Sequence, residues 1–223
     1  MPKLHSFLSK ANSLHPHIIS HLTVEAPPNN DNCALDIIYE LPPSVFVDVN
    51  QLADFASLIG NATVFGETDL EAPLEHVKDK RGSVVILRQP FTREPKRVID
   101  VPLHLRYQQP SLTETQRPIE IPLPVAGWTC HKLGQSAPYP PLDAKYSLVQ
   151  AIDRNAYFTA IDPPTDGVLQ LGVPVGDVKD RSFVEVGTLS CVVLCTVWIL
   201  VAVYKSLAKR NRIEAKGKRR KSE

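Results

Sequence analysis

Seven histidines, four cysteines and 24 acidic residues are the material from which a catalytic or metal centre of this 223-residue chain would be built. Their spacing does not converge. His15 and His17 flank Pro16 and His21 follows, but no acidic residue or cysteine stands at ligand spacing, so a metal centre is not expected and a surface histidine strand is. Paired carboxylates of the Asp-x-Asp kind, which hold divalent cations, are absent; Asp69-Leu70-Glu71 comes nearest and reads as a solvated turn. There is no glycine-rich phosphate loop and no Gly-x-Ser-x-Gly elbow. The expectation is a chain with no catalytic residue, no metal and no cofactor.

Two features would matter if the body is luminal. Cys33 and Cys130 belong to the body, and an oxidising compartment allows them to pair, although sequence alone does not give their separation. Asn61-Ala62-Thr63 is the chain's one glycosylation sequon, in an expected surface turn, which makes Asn61 the candidate glycan site. Cys191 and Cys195 differ from the other pair. They lie four apart in an uncharged segment and read as small packing residues, with palmitoylation the alternative.

That segment, Gly187 to Tyr204, holds 18 residues without a charge. As a helix it extends roughly 27 Å, close to the hydrocarbon thickness of a bilayer. A single span must satisfy its own backbone in lipid, so a helix is expected. Thr188, Ser190 and Thr196 can bond back to their own backbone carbonyls. Residues 205–223 carry nine Lys or Arg against two Glu, net +7, while the remaining 204 residues carry 16 basic and 22 acidic side chains, net −6. By the positive-inside rule the tail is cytoplasmic and residues 1–186 lie outside or in a lumen. The tail has no interleaved aromatics for base stacking, so a membrane surface is the expected partner and nucleic acid is not. The first 28 residues lack an apolar run of about 7–15 residues of the signal-peptide kind. That leaves an upstream start, another translocation route, or a tail anchor with a cytosolic body, which the charge bias opposes.

The elements between are short and rich in Ile and Val. Strands are expected at 17–25, 33–41, 44–49, 82–90, 97–110, 118–128, 155–161 and 167–176, with one helix at 50–60 carrying Leu52, Phe55, Leu58 and Ile59 on its apolar stripe. Twenty prolines mark the connections, notably 136–144. The fold class is mainly β: a sandwich-like luminal domain followed by a single C-terminal transmembrane helix. The boundaries are 1–32 for an N-terminal segment with a possible first strand, 33–180 for the β-rich luminal domain, 184–204 for the transmembrane helix and 205–223 for the basic cytoplasmic tail.

The strand VIDVPLHLRYQQPS, 98–111, carries the sharpest local signal. Alternation puts Val101, Leu103, Leu105 and Tyr107 on one face, towards the core, and Pro102, His104 and Arg106 on the other. The second face is either solvent or a docking surface, since Arg and Tyr are favoured interface anchors and Pro102 suits an edge strand.

VPLHLRYQQPS resembles the His-x-Arg-Tyr-x-x-Pro signature of the PIG-X family and its fungal counterpart, the accessory subunit of glycosylphosphatidylinositol mannosyltransferase I. CALDIIYELPPSVFVDVNQLADF (33–55), TDLEAP (68–73) and VPVG (173–176) before a C-terminal span are similar to that family's segments in the same order, covering about residues 33–204. The resemblance implies a single-pass protein of the endoplasmic reticulum membrane, body luminal and tail cytoplasmic. It implies a non-catalytic subunit that binds and stabilises a multi-spanning PIG-M-like catalytic subunit, which adds the first mannose to the GPI precursor. His104, Arg106 and Tyr107 are then the expected partner-binding residues. The ectodomain of a receptor or adhesion protein would share the architecture but not the ordered segments.

The charge asymmetry gives a direct expectation. Protease added to sealed microsomes digests the basic tail and leaves residues 1–186 intact; a digested body with a protected tail would reverse the orientation.

Overall fold

A computed structural model describes residues 3–25, 33–90, 96–131, 156–162 and 167–220. The proline-rich stretch 136–144, Asn155 and Lys221 lie outside these. In chain order the elements are β1 (Lys3–Ser9), β2 (His17–Thr23), β3 (Cys33–Leu41), β4 (Val45–Phe46), α1 (Val49–Asp54), α2 (Ala56–Ile59), β5 (Asn61–Gly66), β6 (Ser83–Gln89), β7 (Lys96–Pro102), β8 (His104–Leu105), β9 (Gln116–Pro122), β10 (Val125–His131), β11 (Ala156–Ala160), β12 (Val168–Pro174) and α3 (Arg181–Arg220). The chain is mainly β with one long C-terminal helix, as its patterning predicts.

The strands pair antiparallel in four groups: β1-β2-β7, β11-β10-β3-β6-β5, β12-β9 and the two-residue β4-β8. One apolar cluster joins the inner faces, with Ile18 and Leu22 from β2, Ile99 and Val101 from β7, Ile37 and Tyr39 from β3, Leu87 from β6, Ile121 from β9 and Leu171 from β12. Burial of such side chains stabilises each by about 1.5–3 kcal/mol relative to exposure. Tyr39 is fully enclosed, so its hydroxyl needs a partner; it lies 3.2 Å from Ser20 Oγ, which in turn lies 2.8 Å from Ser6 Oγ. This chain of hydroxyls links β3 to β2 and β1 through the core.

The five-stranded sheet is covered on its second face as well. Ile38, Val84 and Ile86 pack there with Phe65 and Phe158, which is why β3 and β6 read as continuous apolar runs rather than alternating ones. Asp36 sits on that face at zero exposure. Its carboxylate accepts two bonds from Arg88, from Nε and Nη2 at 2.9 Å each, and one from Thr129 Oγ1 at 2.5 Å. A buried carboxylate requires this degree of satisfaction. Gly127 lies opposite Asp36 in the register, and a Cβ there would run into the Phe158 ring and the Thr159 carbonyl.

Cys33 and Cys130 are cross-strand partners on β3 and β10, with Cα atoms 4.0 Å apart, and a disulfide joins them. Asn61, expected in a turn, opens β5 at the end of the five-stranded sheet and is exposed.

Four local expectations change. The segment 3–9 is a strand, hairpinned to β2, so the first residues belong to the same β body. Residues 118–128 split into β9 and β10, which enter different sheets. The single helix at 50–60 is two short ones broken at Phe55, whose φ of −92° and ψ of 5° end the first helical run. The break resets the phase, so Leu52 and Ile59 reach the core while Phe55 and Leu58 stay exposed. Asp48 starts α1, its side chain accepting from the Asn50 N–H at 2.8 Å and the Gln51 N–H at 3.4 Å. Finally, 97–110 is not one strand but β7 and β8 separated at Leu103.

The chain divides into two units, the β body just described (Met1–Gln109 with Glu114–Val175) and a second unit of Pro110–Thr113 with Gly176–Glu223. In the second, the Ser111 N–H donates to the Gly176 carbonyl at 2.9 Å and the Val178 N–H to the Ser111 carbonyl at 3.2 Å. Helix α3 begins there and runs 40 residues without interruption. It is the one described helix long and apolar enough to cross a membrane. Its apolar side chains are exposed all round, including Leu189, Val193, Leu194, Trp198 and Ile199. Thr196 Oγ1 donates to the Val192 carbonyl at 2.8 Å. The helix passes from the expected span into the expected tail with no break at 204, because Lys and Arg are good helix formers.

A disulfide that closes 97 residues of chain restricts the unfolded ensemble. Replacing both cysteines, Cys33→Ala with Cys130→Ala, is expected to destabilise the body by about 2–5 kcal/mol. The shift in urea midpoint of the detergent-solubilised chain measures it, and dithiothreitol should reproduce it in the parent.

Candidate functional site

The residues singled out by sequence meet where the regular ladder of β7 ends. After Pro102 the chain leaves β2. The Leu103 and Leu105 N–H groups donate to Pro16 and Leu14 in the β1–β2 turn, at 2.9 and 3.1 Å, and the Arg106 N–H donates to Ser44 at 2.9 Å. β8 pairs with β4 for only two residues, His104 with Phe46 and Leu105 with Val45. Beyond Leu105 no ladder decides which way a side chain points.

The consequence is a correction to the alternation. Tyr107, expected with the core set, is 79% exposed, and Arg106, expected on the outer set, is 4% exposed. His104 is half-buried. The Arg106 guanidinium lies over the Phe46 ring, 4.5 Å from its centroid. Its Nη1 donates to the Ala72 carbonyl and its Nη2 to the Asp69 carbonyl, the latter at 2.6 Å. Nε is buried with no hydrogen-bond partner among the described residues.

Those two carbonyls belong to the β5–β6 connection, which a second buried charge organises. The Glu67 carboxylate accepts the Asp69 N–H at 2.8 Å through Oε1, and the Lys78 and Asp79 N–H groups at 2.7 and 3.3 Å through Oε2. Asp69 Oδ1 accepts in turn from the Glu71 and Ala72 N–H groups at 3.0 and 3.2 Å. The Asp69 backbone N–H holds the Glu67 carboxyl below the usual carboxylate range against its burial, helped by the Lys78 and Asp79 N–H groups and the field of Arg106. Burial lowers the Arg106 pKa, while Glu67 and Asp69 oppose it; a guanidinium stays charged regardless. Arg106 and Glu67 therefore hold one loop from opposite signs, the cation on carbonyls and the anion on amides.

A third set of contacts lies beside Phe46. The His104 ring stacks on it at 5.3 Å between centroids. His104 Nε2 lies 2.9 Å from Gln51 Oε1, and its Nδ1 lies 3.0 Å from His15 Nδ1. His17, two residues on, pairs with Asp100 at 2.7 Å. Among the described residues no group of three or more His, Cys, Asp or Glu could hold a metal ion.

The structure thus brings His104 and Arg106 into one junction and leaves Tyr107 projecting from it. Asn61 and the Cys33–Cys130 pair belong to the five-stranded sheet. Glu67, Phe46 and Gln51 were not expected here. The available signal was the TDLEAP stretch, whose backbone carbonyls, rather than its acidic side chains, are what Arg106 binds.

A family model described as PIG-X / PBN1 matches residues 11–204. The chain belongs to the PIG-X / PBN1 family. Within that family it is similar to Protein pbn1 of Neurospora crassa, 31% identical over 211 residues, 88% of this chain and 42% of that protein. It is also similar to Protein pbn1 of Aspergillus oryzae, 30% identical over 216 residues, 84% of this chain and 39% of that protein. Protein pbn1 of Schizosaccharomyces pombe is 27% identical over 202 residues, covering 86% and 57%. The chain spans about two-fifths of the length of the first two relatives. No solved structure matches. The His-x-Arg-Tyr segment and the Asp-x-Glu-x-Pro-like segment meet through Arg106 and the carbonyls of Ala72 and Asp69, 34 and 37 residues away in sequence.

Removing the cation orphans two carbonyls and leaves Glu67 without its counter-charge. Arg106→Ala is expected to destabilise the body by about 2–3 kcal/mol, whereas Tyr107→Ala, at an exposed position, stays within about 0.5 kcal/mol. Urea unfolding of the two variants followed by tryptophan fluorescence checks both; equal effects would refute the division of roles.

Proposed function

We propose that the chain is a non-catalytic, stabilising subunit of the glycosylphosphatidylinositol mannosyltransferase I complex in the endoplasmic reticulum membrane. Membership of the PIG-X / PBN1 family, over residues 11–204, is the observation that carries this reading and supports a role in GPI-anchor biosynthesis. The single apolar helix with a basic end supports single-pass anchoring, body in the lumen and tail in the cytosol. The partner is a PIG-M-like multi-spanning subunit that carries the catalytic groups and transfers the first mannose.

The mechanism is mass action. A chain that binds only the folded form of its partner shifts the partner's folding equilibrium, by about 2.7 kcal/mol when its free concentration is a hundred times the dissociation constant. The luminal contact is assigned to the junction at His104, Arg106 and Tyr107. Tyr107 offers a projecting aromatic, the kind of side chain that dominates interfaces. Arg106 acts through the loop it holds, and His104 through the turn it touches. The membrane contact is helix α3, where Gly187, Ser190, Cys191, Cys195 and Ala202 permit close approach of another helix.

Affinity purification of the chain from mild-detergent extracts is expected to recover a polytopic mannosyltransferase. Its depletion should lower that enzyme's steady-state level and the first mannosylation of the GPI precursor together. Tyr107→Ala should cut recovery several-fold with the body still folded. The Asn61 glycan should stay at the high-mannose stage. Normal first-mannose transfer in cells lacking the chain would reject the assignment.

A further inference from the structure

The two imidazoles at the junction are in direct contact. His15, exposed in the β1–β2 turn, places Nδ1 3.0 Å from Nδ1 of half-buried His104, with the rings near perpendicular at 81° and 5.0 Å between centroids. The other nitrogen of His104 settles the direction of that bond. Gln51 Oε1 can only accept, so His104 Nε2 carries the hydrogen. A neutral His104 then has its lone pair on Nδ1, and His15 Nδ1–H donates to it.

The pair accommodates one extra proton easily. A proton on His15 Nε2 leaves the contact unchanged, and a proton on His104 Nδ1 is accepted by His15 once that ring carries its hydrogen on Nε2. A second extra proton cannot be accommodated. Both Nδ1 atoms then carry hydrogens, and two donors of like charge face each other at 3.0 Å. We propose that His15 and His104 form a proton-operated joint, which ties the β1–β2 turn to β8 while the pair carries at most one extra proton and releases it when both rings are charged.

The surroundings set the direction. Burial disfavours the charged form of His104 first; the nearby His15 adds to this, Asp48 at the cap of α1 opposes it, and His17 on β2 adds a smaller push in the same direction. His17 is itself held by Asp100 of β7. On its own segment Arg106 already places a cation on the Phe46 ring against which His104 stacks. The His104 pKa therefore lies below its ordinary 6.5. The folded form binds fewer protons at His104 than the unfolded form, so the joint is intact above the ordinary 6.5 and is lost as pH falls below that value towards the lowered one of the folded chain.

Two backbone bonds cross the same joint, Leu103 N–H to Pro16 and Leu105 N–H to Leu14. They do not titrate, so acid loosens the turn locally and the amides of Leu103 and Leu105 report it. The joint stands whether or not the chain serves a mannosyltransferase, because the readout is on the chain itself.

The test is hydrogen–deuterium exchange of the full chain in nanodiscs at pH 7.5 and 5.5, corrected for intrinsic rates. Protection of Leu103 and Leu105 is expected to be lost at the lower pH relative to the higher, while β3 and β6 amides keep theirs. His104→Gln keeps an acceptor for His15 and does not titrate, so its protection should not change with pH; His15→Gln removes the facing imidazole and should weaken the response. A response that survives both variants, one that disappears in His17→Gln instead, or no response in the parent chain would overturn the proposal.

Discussion

A guanidinium with almost no exposure to water must place its N–H groups on something, and Arg106 places them on the backbone of a loop 34 and 37 residues away in sequence. Much of the junction follows from that requirement. The loop needs an anion to gather its amides, and Glu67 supplies it. The guanidinium needs a flat surface, and Phe46 supplies it, which brings β4 against β8. His104 then shares the same ring. Two opposite buried charges that never meet in a direct ion pair hold a loop of irregular backbone in one conformation, and the exposed Tyr107 extends from a fixed base.

The same principle operates twice more in the body. Asp36 is satisfied by Arg88 and Thr129 on one face of the five-stranded sheet, and Tyr39 by Ser20 between β3 and β2. Each also fixes register, since a one-residue slip of β3 would carry Asp36 to the other face, away from Arg88 and Thr129.

Much of the architecture was legible in the sequence. The uncharged segment with lysines behind it reads as a membrane-spanning helix because lipid admits little else, and helix α3 has that form. β3, β6 and β12 read as strands because their apolar runs are short and bounded by turn residues. The failures are equally physical. Residues 3–9 carry too weak an alternation to be recognised without β2 beside them. The 50–60 helix loses its stripe because a local kink at Phe55, not the periodicity, decides which side chains face inward.

The sequence by itself determined the class of object: a β body, an apolar helix with a basic end, and an ordered set of short segments that place the chain in the PIG-X / PBN1 family. Those properties depend on composition and near-neighbour spacing. Only the tertiary structure decided that Arg106 faces inward and Tyr107 outward, that Cys33 and Cys130 stand opposite each other, and that His15 touches His104 across 89 residues. Contacts between distant residues depend on where each ladder ends and which loop passes by. Alternation along a strand carries no information once the strand has lost its partner.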